Sequence, residues 1–113
     1  MPHIIIEYVD QQAIEAQIPK LLMAVHECVA ASGLYEPSHI KTRAYPFRFY
    51  SNAGGDKPYI HVQMRIKSGR STEQKKQASE AVLAAIKKLQ LPVQVVTVEV
   101  IDMDRDSYAK FAG

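Results

Sequence analysis

This sequence predicts an α/β fold in two layers, a four-stranded mixed sheet with two helices on one face (α+β in plan). Three observations carry the prediction. A strand pattern, a helix pattern and a second strand pattern follow one another twice, in units of similar length. Tyr59–Lys67 alternates cleanly between apolar and polar side chains. Ile18, Leu22, Val25 and Val29, joined by Leu21 and Cys28, form an apolar stripe at helical spacing. Right-handed crossovers place both helices on the same face and leave the other uncovered.

The elements follow in order. His3–Val9 is a strand, and its nearly continuous apolar content points to burial on both faces. Asp10–Gln17 is a connection with some helical character. Pro19 suits the first turn of the helix that follows, where its missing N–H would be unpaired anyway. Gly33 stops that helix. Leu34–His39 is a turn region containing Pro37. Ile40–Tyr50 is a second strand, which Pro46 marks as an edge or irregular one. Asn52-Ala53-Gly54-Gly55-Asp56 is a hairpin-type turn into the third strand, Tyr59–Lys67. There Ile60, Val62, Met64 and Ile66 face one way, and His61, Gln63, Arg65 and Lys67 the other. Ser71 and Gln74 make a capping box for the second helix. Its buried face is Ala78, Val82, Ala85, Ile86 and Leu89, and Lys87 and Lys88 complement the dipole in its last turn. After Pro92, Val93–Ile101 is the fourth strand, and residues 102–113 form a C-terminal tail. Ile4-Ile5-Ile6 and Val95-Val96-Thr97-Val98 read as apolar on both sides. An uncovered apolar sheet face calls for a second copy of the chain, in closed cyclic symmetry.

The totals bound the function. The 113 residues make one domain, 1–113. With 14 basic and 12 acidic side chains and a net charge of +2, no broad nucleic-acid footprint is expected. The single cysteine, Cys28, rules out an internal disulfide and fits a reducing compartment. No stretch reads as a signal peptide or a membrane span, so the expected location is the cytoplasm.

Pro2 is the residue with the most chemistry to offer. Methionine ahead of a small residue is normally trimmed, which would leave a free secondary amine. An α-amino group titrates at roughly 7.7–8.0, and cations or desolvation push that down. Such a base suits proton transfer near neutral pH. The plainer reading is that Pro2 begins a strand where its missing N–H costs nothing. Arg70 stands between the third strand and the second helix, where helix amides and a guanidinium together favour an anion; a solvated loop arginine is the alternative. Lys41 and Arg43 share one face of the second strand with Tyr45. They read either as an anion site or as a solvated edge. His3, His26, His39 and His61 lack metal-ligand spacing. Cys28 reads as a buried inert thiol, and Gly54-Gly55 as a turn and not a phosphate loop.

Met1-Pro2-His3, Pro19, Ala30-Ala31-Ser32-Gly33, Ile40-Lys41-Thr42-Arg43 and Gly69-Arg70-Ser71 together resemble the 5-carboxymethyl-2-hydroxymuconate isomerase family of the tautomerase superfamily. The resemblance spans Pro2 to about Ile101. It implies a double β-α-β tautomerase-like fold and a homotrimer whose three sheets enclose a barrel-like core. It implies Pro2 as the catalytic base and a small acidic 2-hydroxy-dienoate as the substrate, converted to its 2-oxo-enoate tautomer. It implies neither metal nor organic cofactor. Arg70, Lys41 and Arg43 take the substrate-binding positions. Lys41 departs from the arginine usual there, and loses the planar fork that clamps a carboxylate. A non-catalytic trimeric binding module and a relative acting on another acid, by hydration or dehalogenation, are the alternatives.

Overall fold

The computed structural model describes residues 1–113. Its elements are β1 (His3–Val9), α1 (Gln12–Glu15), α2 (Ile18–Ala31), β2 (Lys41–Phe47), β3 (Tyr59–Lys67), α3 (Thr72–Lys87) and β4 (Val95–Met103). Short 3-10 turns occupy Pro37–His39 and Arg105–Ser107. The sheet order is β2-β1-β3-β4. β1 runs parallel to β2 and antiparallel to β3, and β3 runs parallel to β4. The mixed four-stranded sheet and the two-layer plan are those the sequence predicts. β2 is an edge strand, which is where Pro46 can sit without breaking a ladder.

One face of the sheet holds the core. Ile4 and Ile6 of β1 and Ile60, Val62, Met64 and Ile66 of β3 are buried there. Leu21, Val25 and Val29 of α2 and Val82 and Ile86 of α3 close over them. Both long helices thus lie on one side, as right-handed crossovers require. α1 is a single turn that caps one end of this layer. Its Ile14 is fully buried, and Tyr8 donates its hydroxyl hydrogen to Glu15 at 2.5 Å. Burial and the adjacent carboxylate push the Tyr8 phenol up to about 12. α3 begins with the capping box read from the sequence: Ser71 Oγ accepts from the Gln74 amide, and Gln74 Oε1 accepts from the Ser71 amide. Ile6 lies at the centre of the sheet, opposite Ala44 and Val62. Ile6→Ala is expected to cost about 2–5 kcal/mol, read as a lowered urea midpoint at unchanged m-value. A loss under about 1 kcal/mol would mean that the layers collapse into the space.

Three boundaries differ from the sequence prediction. β2 stops at Phe47 and does not run on to Tyr50. Phe47, Tyr50 and Tyr59 pack ring against ring, and the Tyr50 hydroxyl donates to Asp56 O at 2.6 Å, which pulls the chain out of the sheet. β4 begins at Val95, because Val93 turns back onto Leu91 and Gln94 donates to Pro58 O. The C-terminal tail does not start at Asp102. Asp102 and Met103 pair with Ile66 and Lys67 inside the sheet, and residues beyond them fold back through the Arg105–Ser107 turn.

The uncovered face carries more charge than the sequence pattern suggests. It carries Lys41, Arg43, His3, Glu7, Arg65, Lys67, His61 and Glu99, with Ile5, Val95 and Ile101 among them. β1 is therefore apolar on both sides only at Ile5, and β4 mainly at Val95 and Ile101. The face mixes charge with apolar side chains, and Tyr45 and Val95 on it are exposed. No helix is long and apolar enough to cross a membrane.

Candidate active site

The strand directions gather the candidate residues at one end of the sheet. β1 and β2 start there, and β3 and β4 finish there. Pro2 precedes β1, Lys41 opens β2, Lys67 closes β3 and leads into Gly69-Arg70, and Arg105 follows β4. The Lys41 amide donates to Pro2 O at 3.0 Å, so the β1–β2 ladder continues through Pro2 and fixes its backbone. The Pro2 ring is fully buried.

A pocket of about 340 Å³ opens beside the N-terminus. Met1, Lys67, Gly69, Arg70 and Arg105 line it, together with the Leu34-Tyr35-Glu36 segment. Its walls are mostly polar and cationic. The Arg70 guanidinium donates to Leu34 O at 2.6 Å and lies over the Tyr35 ring at 5.1 Å. Lys67 Nζ lies over the Tyr108 ring at 5.3 Å. Arg105 donates to Ser68 O at 3.0 Å. Every one of these cations is held by a carbonyl or a π face. The chain's two salt bridges, Lys75–Asp102 and His61–Glu99, lie elsewhere.

Gly69 makes this end of β3 possible. Its φ is +124°, a backbone region that residues with a Cβ avoid, and an added Cβ would stand 3.0 Å from the Arg105 guanidinium. The loop turns tightly at Gly69 and lets Arg105 lie against it.

The Met1 amine is held below its ordinary value of 8.0. Burial is the largest cause, followed by Lys67, Lys110, Arg70 and Lys41. The charged ammonium loses water and gains cationic neighbours, and both disfavour it. His3 is likewise held below 6.5, first by burial and then by Arg43, Lys41, the terminus and Arg65. Arg43 Nη1 lies 3.4 Å from His3 Nδ1. A guanidinium only donates, so Nδ1 accepts and Nε2 carries the hydrogen, donating to the Tyr108 hydroxyl at 3.1 Å.

Of the four residues read from the sequence, Arg70 lines the pocket, and Pro2 and Lys41 lie beside the terminus. Arg43 turns to His3 and does not line the pocket. The helix amides expected next to Arg70 do not line it either. The capping box has taken the Gln74 amide, and Arg70 points to Leu34 instead. Sequence reasoning missed Lys67, Arg105 and Lys110. Lys67 had a signal, since it ends an alternating strand directly ahead of Ser68-Gly69-Arg70. Arg105 and Lys110 had none, because only the β3–β4 register brings residues after Met103 to this end. No cluster of three His, Cys, Asp or Glu side chains is placed to hold a metal ion.

Comparison with known proteins identifies the family. The family model described as 5-carboxymethyl-2-hydroxymuconate isomerase matches residues 2–101. The chain is similar to 5-carboxymethyl-2-hydroxymuconate Delta-isomerase of Escherichia coli, with 34% identity over 89 residues, covering 77% of this chain and 71% of that protein. It superposes on a 5-carboxymethyl-2-hydroxymuconate isomerase from Deinococcus radiodurans R1 with a TM-score of 0.84 at 24% identity, over 99% of this chain and 90% of that one. A fused 4-OT, described as a symmetric trimer, superposes with a TM-score of 0.76 at 11% identity, over 94% and 91%. Those two likenesses speak for the fold; the family model and the E. coli relative speak for the family. The chain belongs to the 5-carboxymethyl-2-hydroxymuconate isomerase family, and it is an isomerase of the tautomerase superfamily.

Proposed function

We propose that this isomerase ketonises a conjugated 2-hydroxy-dienoate bearing more than one carboxylate, of the 5-carboxymethyl-2-hydroxymuconate type. The imino nitrogen of Pro2, freed by removal of Met1, is the general base. One observation carries the reading: the N-terminus lies in a desolvated hollow beside Lys67, Lys110, Arg70 and Lys41, which holds the Met1 amine there below its ordinary value. Pro2 is one residue further in and fully buried, so the same influences act on its nitrogen.

The steps balance without an added group. The neutral nitrogen takes the proton of the 2-hydroxyl. The oxygen lone pair becomes the C2 carbonyl, the C2–C3 double bond moves to C3–C4, and the former C4–C5 electron pair takes a proton at C5 from the prolinium. The nitrogen ends as it began. Arg70 and Lys41 hold carboxylate and the negative charge that develops on the 2-oxygen. Arg43 serves through His3: with burial it holds the His3 imidazole below its ordinary value, and its contact with Nδ1 favours one tautomer. Residues 1–113 act as a single domain in a homotrimer, with the uncovered charged face of the sheet turned toward neighbouring copies. The reading requires no cofactor, nucleic acid or membrane, and places the enzyme in the cytoplasm.

The test joins two measurements on one sample. Mass spectrometry of the mature protein is expected to show loss of Met1, and ultraviolet absorbance is expected to show ketonisation of 2-hydroxymuconate above the buffer rate. A trimmed protein without activity would leave a binding module as the better description. A protein that keeps Met1 has an amide at Pro2, with no useful basicity, and activity in that form would refute the proline mechanism.

A further inference from the structure

Three cations, Lys67, Arg70 and Arg105, face one pocket that contains a single carboxylate, Glu36. Glu36 is occupied with the Ser38 hydroxyl, and none of the three cations forms an ion pair with it. Asp104 and Asp106 flank Arg105 on its own turn, yet Asp104 accepts from the Asp106 amide and neither carboxylate pairs with the guanidinium. Arg105 spends one N–H on Ser68 O and keeps the others free. One carboxylate on a ligand would satisfy Arg70 and leave Lys67 and Arg105 uncompensated. Cations collected at this density, without counter-charges of their own, suit an anion carrying charge at two separate points.

We infer that Arg105, with Lys67, forms a second carboxylate-binding subsite that selects dianionic over monoanionic dienoates. The inference rests on the proposed function for the kind of ligand, and it adds a residue supplied by the C-terminal turn. Arg105 reaches the pocket because β4 runs on to Met103 in register with Lys67, and because Gly69 has no Cβ to keep the guanidinium away. Lys67 is steadied by the Tyr108 ring, and Tyr108 is tied to His3 beside Pro2. The C-terminal turn is thereby a wall of the substrate site.

Calorimetric titration with muconate and with sorbate tests this. Both are unreactive dienoates lacking the 2-hydroxyl, and they differ in one terminal carboxylate. The native protein is expected to bind muconate at least about tenfold more tightly than sorbate. Arg105→Gln is expected to bring that ratio below about threefold, with Arg105→Lys in between, since lysine keeps the charge and loses the fork. An unchanged ratio in Arg105→Gln overturns the inference, as does a native protein that shows no preference or binds neither ligand. Arg105 is exposed, so the variant is expected to keep the native unfolding midpoint. The ratio needs no base. Should Pro2→Ala ketonise 2-hydroxymuconate as fast as native protein, the proposed function fails while this measurement still decides the subsite.

Discussion

Pro2→Ala is expected to lower kcat/KM for ketonisation by ~10²–10⁴-fold, the range that a positioned general base contributes. The ring does two things that alanine does not. It ties the nitrogen into the ring, so that the amine does not rotate freely about its bond to Cα, and it makes the base a secondary amine inside a fully buried side chain. The backbone on either side is not the cause of the loss. The Lys41 amide still finds the carbonyl of residue 2, and the β1–β2 register from His3 onward does not involve the ring. Thermal unfolding of the variant within a few degrees of native would separate lost chemistry from lost fold. The pH profile supplies a second reading. Burial and the same cations that hold the Met1 amine down act on the nitrogen that trimming exposes, so the acid limb of native kcat/KM is expected at lower pH than for an ordinary solvated prolyl terminus. Equal rates for native and variant protein would remove Pro2 from the mechanism.

Much of this architecture is legible in the sequence because the patterns that encode it are local. The alternation in Tyr59–Lys67, the stripe Ile18–Val29 and the Ser71–Gln74 box each depend on neighbours a few residues away, and each is found where it is read. The end of β2 is less legible, since three aromatic rings from Phe47, Tyr50 and Tyr59 decide it across a loop. The charged character of the uncovered face depends on register. Ile5 looks like core in sequence, but pairing places it beside Arg43 and Gln63. The same holds for the site. Pro2 and Arg70 are legible because residue type and position relative to an element are enough to single them out. Arg43 shares a face with Lys41 as predicted, yet His3 lies within its reach and takes it. Arg105 reads as tail because nothing near it in sequence reveals that β4 continues through Met103.

Arg70→Ala is expected to lower kcat/KM by ~10²–10³-fold, the loss typical when one preorganised donor to a developing oxyanion is removed. Most of that loss should fall in kcat, because charge on the 2-oxygen grows as the hydroxyl proton leaves, and a donor aimed at it gains strength only then. The guanidinium is already fixed by Leu34 O at 2.6 Å and by the Tyr35 face at 5.1 Å, so it needs little reorganisation as charge appears. Arg70→Lys keeps a cation but reaches neither partner in the same geometry, and is expected to recover only part of the loss. The acid limb distinguishes this role from a purely structural one. Arg70 is among the cations that hold the terminal amine down. Its removal lets the amine pKa rise, so the Arg70→Ala limb is expected to move to higher pH, while Arg70→Lys moves it less. A variant that merely loosened the β3–α3 junction would lose activity with the limb in place. A limb that stays put, with the whole loss in KM, would reduce Arg70 to a general anchor for carboxylate and leave the 2-oxygen to Lys41.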